Sequence, residues 1–132
     1  MGNPESPTVR RGQTQPLLVE TCVFCRIVAG VAHATILHRD DRVVAFRDIH
    51  PVAPTHILIV PAKHISSLND LGPQDEPLLG DMLRLARTLA EREKVDSRGY
   101  RLVINTGPEA GQSVAHLHLH LLGDRRMGWP PG

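Results

Sequence analysis

The sequence predicts an α+β fold in which an antiparallel sheet packs against one long helix. Four short segments have the apolar character of strands, and a fifth alternates histidine with leucine at the two-residue period of a strand. One long segment, residues 73–94, instead repeats apolar side chains at the 3.6-residue period of a helix. Strands that are grouped, rather than alternating one by one with helices, are typical of an antiparallel sheet.

The length and charge of the chain limit the classes of protein to which it can belong. A chain of 132 residues suits one domain, and its 15 basic and 14 acidic side chains nearly cancel. This balance does not favour a nucleic-acid partner. The apolar runs are far shorter than a membrane span, and the N-terminus has no secretion signal. We therefore expect a cytoplasmic protein with neither a nucleic-acid nor a membrane partner.

The N-terminal segment differs in character from the rest of the chain. Residues 1–18 contain three prolines, two glycines and several polar residues, without an apolar period. We expect residues 1–18 to form a flexible tail and residues 19–132 to form the folded domain. The first element of that domain is a short helix at 22–28, which ends at the Ala29-Gly30 pair.

The five predicted strands surround the long helix in the sequence. Residues 35–37 and 43–46 are joined across a polar turn, and residues 56–60 follow a loop that contains prolines. After the helix come strands at 100–105 and 115–122, which are separated by a glycine-bearing loop.

The long helix should bury one face against the sheet. Its inward apolar positions are Leu79, Met82, Leu83, Ala86, Leu89 and Ala90. Its charged residues fall on the outer face, at Asp81, Arg84, Arg87 and Glu91. Pro77 is tolerated only in the first turn of a helix, so the regular helix should begin close to it.

The most informative motif is the run HLHLHLL at residues 116–122. Side chains of a strand alternate between its two faces, so His116, His118 and His120 would share one face and the leucines the other. Imidazole is the side chain whose ordinary pKa lies nearest to neutral pH. Three imidazoles in phase indicate metal binding, proton transfer or nucleophilic attack, and the pattern alone leaves all three open.

The loop before this strand has the composition of a phosphate-binding segment. Gly107 and Gly111 allow backbone amides to approach a ligand closely. Asn105, Gln112 and Ser113 add neutral hydrogen-bond donors, which stabilise the charge of a phosphate without a salt bridge. Taken by itself, the same composition also suits an ordinary turn.

The two cysteines of the chain, Cys22 and Cys25, form a CxxC motif. In a reducing compartment this spacing favours metal binding or dithiol redox chemistry over a structural disulfide. A redox motif of the thioredoxin type should lie within a βαβ pattern, which this sequence does not have. A third interpretation is that both cysteines are small buried hydrophobic residues.

Together these motifs resemble the histidine triad (HIT) superfamily, whose signature is His-φ-His-φ-His-φ-φ with φ apolar. Residues 116–122 match every position. The resemblance spans about residues 20–132 and continues through four further segments, at 46–49, 54–56, 61–65 and 110–114. The terminal WPPG sequence is similar to the ending of the Hint branch, the purine nucleoside phosphoramidate hydrolases.

The resemblance implies a HIT-like fold, with a five-stranded antiparallel sheet, one long helix and one short helix. It also implies a homodimer in which the two sheets form one extended sheet. Trp129 would then lie near the active site of the partner subunit and influence the choice of leaving group.

The resemblance assigns a mechanism to the histidines. Neutral His118 would attack the α-phosphorus of a nucleoside 5′-monophosphate derivative, forming a nucleotidyl-histidine that water hydrolyses. A backbone carbonyl would hold its other ring nitrogen in one tautomer. His120 would bind the phosphoryl oxygens, and Ser113 and Asn105 the phosphate or leaving group. His56 matches a further active-site histidine; otherwise it is a core residue at the start of a strand.

The resemblance also implies which residues would bind the nucleoside. Asp48 would accept hydrogen bonds from both ribose hydroxyls. The apolar walls of the purine pocket would be formed by Phe24, Ile27, Phe46 and Ile49. Gly111 and Gln112 of the glycine-bearing loop would complete the nucleotide site.

For the cysteines, the resemblance implies a structural zinc site. Many family members with such a CxxC motif pair it with the histidine of a Lys-His-Ile segment and with the first histidine of the triad. Cys22, Cys25, His64 and His116 would then form a closed Cys2His2 site for Zn²⁺. A closed site has no position for water, so this zinc would be structural and His116 would act as an anchor.

We therefore expect a hydrolase that cleaves the P–N or a related bond of purine nucleoside 5′-monophosphate derivatives, such as adenosine phosphoramidate. Two alternatives stay open: a dinucleoside polyphosphate hydrolase of the Fhit branch, and a nucleotide-binding regulatory or scaffold protein with incidental hydrolysis. The WPPG ending favours Hint over Fhit. His33, His38 and His50 match no catalytic position and are expected at the surface.

Overall fold

The computed structural model describes residues 19–132, so the flexible tail expected at residues 1–18 lies outside the described residues. Within these residues there are two α-helices, α1 (Val23–Val28) and α2 (Glu76–Arg92). The strands are β1 (Ile36–Arg39), β2 (Val43–Arg47), β3 (Thr55–Pro61), β4 (Tyr100–Val103) and β5 (Leu119–Gly123). They form one antiparallel sheet in the order β1-β2-β3-β5-β4, which confirms the predicted α+β fold. Within residues 19–132 no helix is both long and apolar enough to cross a membrane.

The sheet separates two apolar clusters because alternate residues of each strand point to opposite faces. On one face α2 packs against residues such as Ile57, Ile59 and Leu119. On the other face the short helix α1 covers residues such as Phe46 and Leu58. Because His120 pairs directly with Leu58 in the register, it lies on the α1 face, where the candidate site is built.

The buried face of α2 is rotated relative to the sequence prediction. Leu83 was expected to point inward, but it is 44% exposed. Leu78 and Leu85 are buried instead, together with Met82 and Leu89. Each residue of a helix turns by about 100°, so Leu83 lies a quarter-turn or more away from a face centred on Met82. The apolar stripe is wide, so the sequence period alone is compatible with either orientation of the helix.

The rotated face gives a matched test of the packing. Met82→Ala is expected to lower the free energy of unfolding by ~2–4 kcal/mol, because Met82 is fully buried and its truncation leaves a cavity. Leu83→Ala should change it by less than ~0.5 kcal/mol, because the side chain is largely solvated. Urea unfolding of the two variants checks this. Equal losses in both would contradict the observed helix orientation.

The strand predicted at 115–122 is shorter in the structure. Sheet pairing of β5 begins only at Leu119, so of the three histidines only His120 lies in a regular strand. The preceding segment keeps one backbone hydrogen bond to another part of the chain, from Leu117 N–H to the Ile65 carbonyl at 2.6 Å. His116 and His118 are nevertheless buried, and a hydrogen bond from each imidazole to a backbone carbonyl offsets the cost of burying it.

Candidate active site and metal cluster

A cavity of about 310 Å³ lies on the α1 face of the sheet. Its walls include most of the residues expected to hold a nucleotide: Phe24, Ile27, Phe46, Asp48, Ile49, Ser113, His118 and His120. A wider cleft of about 530 Å³ between β4 and the C-terminal segment contains none of these residues. The polar and apolar groups needed for a nucleotide site therefore converge in the smaller cavity.

Some of the expected site residues do not line this cavity. They are Asn105, Gly111, Gln112, His56 and Trp129. Trp129 is 83% exposed in the single chain. His33 and His50, for which no catalytic position was recognised, do line the cavity at its exposed rim. No local sequence signal marks these two histidines, because only the fold brings the segment after α1 beside the segment after β2.

His118 is held in one tautomer by the backbone carbonyl of His116. Its Nδ1 lies 2.7 Å from the carbonyl oxygen of His116, an acceptor, so Nδ1 carries the proton and donates it. The lone pair of the ring is then on Nε2. With 4% of its surface exposed, the imidazole is fixed in place, and its free nitrogen can act as a nucleophile or base.

Phe24 of α1 connects the apolar wall to this imidazole. Its ring meets His118 edge to face, with centroids 5.1 Å apart and planes at 79°. A second edge contact, at 5.5 Å, joins Phe24 to Phe46 on β2. Such T-shaped pairs favour one ring orientation. The short helix thus places an aromatic wall directly beside the reactive histidine.

His56 and His120 form a hydrogen-bonded pair whose protons can be assigned. His56 Nδ1 accepts from the Val52 N–H at 3.1 Å, so its proton is on Nε2. That Nε2–H donates to His120 Nδ1 at 2.9 Å, and Asp48 Oδ2 lies 3.4 Å from the same nitrogen. The proton of neutral His120 is therefore on Nε2, a buried atom with no hydrogen-bond partner among the described residues. A buried donor without a partner is costly, so this N–H suits a ligand oxygen.

Burial keeps this pair neutral at physiological pH. Desolvation lowers the pKa of His120 to about 4, and the positive charges that His118 and His56 acquire on protonation oppose its protonation further. Desolvation also lowers the pKa of His56, although Asp48 acts in the opposite direction. His120 is therefore available near pH 7 as a neutral donor.

The lowered pKa of His120 predicts a loss of stability in acid. In the unfolded chain this histidine has a pKa of ~6.5, so it takes up a proton at a higher pH than His120 does in the fold. Protonation therefore stabilises the unfolded chain relative to the folded one as the pH falls from 6.5 to about 4. Over that interval His120 should lower the free energy of unfolding by ~2–3 kcal/mol. The His120→Gln variant lacks this dependence, so its stability relative to wild type should rise between pH 7 and pH 4.5 in urea unfolding. A pH-independent difference would contradict the assigned environment.

The glycine-bearing loop is held by the Gln112 side chain. Its Oε1 accepts from the Gly107 N–H at 3.0 Å, and its Nε2 donates to the carbonyls of Ser66 and Val114 at 2.8 and 3.0 Å. Gly107 has φ 86° and ψ 171°, a conformation that essentially only glycine adopts. With its amide occupied, Gln112 shapes the loop that presents Ser113 to the cavity.

Four metal-ligating side chains, here called the metal cluster, converge at the start of α1: Cys22, Cys25, His64 and His116. Cys25 Sγ lies 3.1 Å from His64 Nδ1 and 3.5 Å from His116 Nδ1, while Cys22 Sγ lies 3.4 Å from His116 Nδ1. All four ligand atoms lie within 4.8 Å of one another. Metal bonds of about 2.3 Å to sulfur and 2.0 Å to nitrogen put tetrahedral ligands roughly 3.6 Å apart, so the spacing fits one metal ion.

The protonation of His116 also suits a cation, and a cation would offset the effect of burial on Cys25. His116 Nε2 donates to the Pro61 carbonyl at 2.9 Å, which leaves the Nδ1 lone pair facing the two sulfurs. Burial lowers the pKa of His116 to about 4 and raises that of the Cys25 thiol to about 12. A bound divalent cation stabilises the thiolate that burial disfavours. The metal cluster can therefore bind a metal ion.

A second group, Asp48, His56 and His120, also has ligand atoms close enough for a metal ion. Its hydrogen bonds favour another role. Because His56 Nδ1 accepts from Val52, the atom that would ligate, Nε2, carries a proton and has no free lone pair. This group is better described as a hydrogen-bonded network beside the cavity.

Comparison with known proteins agrees with this geometry. Residues 21–129 match the family described as scavenger mRNA decapping enzyme C-term binding. The purine nucleoside phosphoramidase of Escherichia coli K12 is 44% identical over 111 residues, which cover 84% of this chain and 93% of that protein. An uncharacterized HIT-like protein of Synechococcus elongatus is also 44% identical, over 86% of this chain and 98% of its own length.

Solved structures give the same relationship. The HIT family hydrolase from Legionella pneumophila Philadelphia 1 has a TM-score of 0.83 at 50% identity, covering 85% of this chain and all of that chain. A histidine triad protein from Clostridium difficile has a TM-score of 0.82 at 37% identity, covering 85% of this chain and 97% of that one. The chain belongs to the histidine triad family, and its relatives there include hydrolases.

Proposed function

We propose that this protein hydrolyses purine nucleoside 5′-monophosphate derivatives, such as adenosine phosphoramidate, through a nucleotidyl intermediate on His118. The observation that carries the proposal is the hydrogen bond from His118 Nδ1–H to the His116 carbonyl, which leaves the Nε2 lone pair free beside a nucleotide-sized cavity. The relationship to a purine nucleoside phosphoramidase supports the same substrate class.

The first step forms a bond between His118 Nε2 and the α-phosphorus. The P–N bond of the substrate breaks, and an amine that was already protonated on nitrogen leaves with that electron pair as a neutral molecule. The imidazole becomes cationic, with its Nδ1–H still donated to the His116 carbonyl. In the second step water attacks the same phosphorus, the electron pair returns to Nε2, and the proton of the water is lost to solvent.

The neighbouring groups would stabilise the phosphoryl oxygens during both steps. The unpartnered Nε2–H of His120 is the donor best suited to them, because it is buried and held by His56. Ser113, exposed at the cavity, would add a hydroxyl on the phosphate or leaving-group side. We propose that Asn105 and Gly111 also lie near the phosphate in the nucleotide complex, and that Gln112 acts by shaping their loop.

The nucleoside would occupy the apolar end of the cavity. Phe24, Ile27 and Phe46 are buried and form its walls, so a purine ring would gain dispersion and edge contacts there. Ile49 is 77% exposed and would be covered by the base or ribose. Asp48 has one oxygen bonded to the His50 N–H at 2.8 Å and the other 3.4 Å from His56 Nε2. Held in this way, the carboxylate would accept hydrogen bonds from the ribose hydroxyls.

For the metal cluster we propose zinc in a structural role. Two thiolates and two imidazoles in tetrahedral spacing are the ligand set that zinc prefers, and four protein ligands leave no position for substrate. When bound, zinc would supply a cross-link between α1 and the segments around residues 64 and 116. A reducing compartment such as the cytoplasm would keep both thiols available.

We also propose a homodimer. The edge strand β4 would pair with its counterpart in a second copy to extend the sheet, and the exposed Trp129 would then reach the partner's active site. Sedimentation analysis with and without Val103→Glu, a change on this edge strand, tests the arrangement. A wild-type chain that sediments as a monomer would contradict it.

A substrate comparison tests the proposed activity. Adenosine phosphoramidate and a diadenosine polyphosphate are supplied at matched concentrations, and kcat/KM is measured for each. We expect the phosphoramidate to be preferred by at least about tenfold. Preference for the diadenosine polyphosphate would favour the Fhit-like alternative, and turnover of neither with retained AMP binding would favour the nucleotide-binding alternative.

A further inference from the structure

We propose that the metal cluster positions the nucleophile: metal bound at His116 holds the peptide carbonyl that keeps His118 in its reactive tautomer. This inference rests on the function proposed above, because it concerns the same histidine. It gives Cys22, Cys25 and His64 a part in catalysis, although none of them lines the cavity. We call them positioning residues.

His116 is held at three separate points. Its Nε2–H donates to the Pro61 carbonyl at 2.9 Å, and its Nδ1 faces Sγ of Cys22 and of Cys25 at 3.4 and 3.5 Å. Its backbone carbonyl accepts the Nδ1–H of His118 at 2.7 Å. A metal held by His116 would anchor the ring on the side opposite Pro61, and it would help to fix the carbonyl of the same residue.

The sheet does not hold this segment. Regular pairing of β5 starts at Leu119, so the peptide groups of residues 116–118 lack the ladder that fixes His120. Their backbone link to another segment is the bond from Leu117 N–H to the Ile65 carbonyl. That N–H belongs to the same planar peptide group as the His116 carbonyl, so the bond also sets the direction of this carbonyl. Its acceptor, Ile65, directly follows His64 of the metal cluster. The orientation of the His116 carbonyl therefore depends on how the segments that carry His64 and His116 are held together, and a bound metal would join these two segments.

The same metal cluster also fixes the wall beside the nucleophile. Phe24 lies between the two cysteines in sequence and meets both His116 and His118 edge to face, with centroids 5.9 and 5.1 Å apart. Cys22 caps α1, with its Sγ accepting from the Cys25 N–H at 3.4 Å. The metal cluster is thus connected to His118 by two sets of contacts. One passes through the His116 carbonyl and the other through the Phe24 ring.

Loss of the metal should act on His118 in a specific way. If the His116 carbonyl turns away, Nδ1–H loses its acceptor, and the proton is free to occupy Nε2 instead. That tautomer has no lone pair where the phosphorus must bind. The main apolar core around α2 lies on the opposite face of the sheet, so most of the fold should survive.

The test combines nitrogen NMR with single-turnover kinetics on the full chain. Protein labelled with ¹⁵N-histidine is prepared with zinc and after chelation, and the His118 signals are assigned by their loss in His118→Ala. We expect one Nδ1–H tautomer with zinc, a mixture without it, and a first-turnover rate at least tenfold lower with unchanged far-UV circular dichroism. Added zinc should restore the single tautomer and the first-turnover rate. An apo protein with the single tautomer and a rate within twofold would overturn the proposal.

A substitution series separates positioning from simple stabilisation. His64→Cys keeps a metal ligand and should retain the His118 tautomer, whereas His64→Ala should disturb it. His38→Ala is the control, because His38 pairs with Asp40 away from the metal cluster. If the chelated protein unfolds, cadmium-substituted protein replaces it, since its longer bonds to sulfur should shift the His118 resonances and leave those of His38 in place. Unshifted His118 resonances would refute the coupling.

Failure of the proposed activity can be told apart from failure of this inference. The tautomer of His118 is measured without substrate. Protein that changes tautomer with zinc but cleaves no phosphoramidate would contradict the proposed function and leave the positioning intact. Protein that cleaves phosphoramidate equally well with and without zinc would support the proposed function and contradict the positioning role of the metal cluster.

Discussion

Replacing His118 with glutamine is expected to lower kcat for adenosine phosphoramidate by about 10⁴-fold or more, the scale seen when a covalent nucleophile is removed. The amide has no lone pair of comparable basicity at the position of Nε2, and neither His120 nor His56 offers one, since their protons are assigned to Nε2. Steady-state kinetics measure the effect. Binding of AMP should weaken far less, because the walls formed by Phe24 and Phe46 remain.

The control for this prediction is His38→Gln, which changes an imidazole outside the cavity. It should leave kcat within about twofold of wild type, as expected for a surface substitution. A His118→Gln protein that keeps most of its activity would mean that another group attacks phosphorus. In that case the hydrogen bond to the His116 carbonyl would be a packing feature only.

If the metal cluster holds zinc as proposed, removal of the ion is expected to lower the unfolding temperature by about 10 °C or more. Structural zinc binds with an apparent free energy of ~10 kcal/mol or more, and part of that is lost from the folded state when the ion is removed. Cys25→Ser should have a similar effect, because Cys25 is almost fully buried and faces both histidine ligands. Differential scanning calorimetry, with metal analysis of each sample, provides the measurement.

A suitable comparison is Cys25→Ser measured with and without a chelator. Chelation should lower the unfolding temperature of wild type but not that of the variant, which has already lost its metal. Wild-type protein purified without metal, and equally stable with and without added zinc, would contradict the assignment of the metal cluster.

The sequence predicted the elements well because their patterns are local. The continuous apolar, β-branched runs of β2 and β3 and the 3.6-residue period of α2 reflect which side chains are buried, and all three elements are found. Leu83 shows the limit of this reasoning. Because the apolar stripe of α2 is wide, several rotations of the helix about its axis fit the sequence pattern. The packing of Leu78 and Leu85 in the core beside the sheet determines which rotation is found.

The sequence predicted many of the residues that line the cavity, but it did not predict their arrangement. The spacing of the three histidines suggested equivalent positions on one strand, yet β5 begins between His118 and His120. The protons of His56 and His120 depend on a hydrogen bond between residues 64 positions apart and on the Val52 amide. Contacts of this kind follow from tertiary structure, and no local pattern encodes them.

The structure therefore assigns different tasks to the three histidines of the motif. His116 joins the metal cluster and supplies the carbonyl, His118 presents a free nitrogen, and His120 presents a buried N–H. Each role depends on a hydrogen bond at the other nitrogen of the ring. The regular HLHLHLL pattern thus produces three distinct chemical environments within five residues.

Mass spectrometry of protein quenched during a single turnover with adenosine phosphoramidate tests the central claim most directly. We predict an adenylate attached to the peptide that contains His118, stable in alkali and lost in acid, as expected for a phosphorus–nitrogen bond. It should be missing from His118→Gln. Single-turnover hydrolysis without any adduct, or an adduct on His120 or Ser113, would contradict the assignment of His118 as the nucleophile.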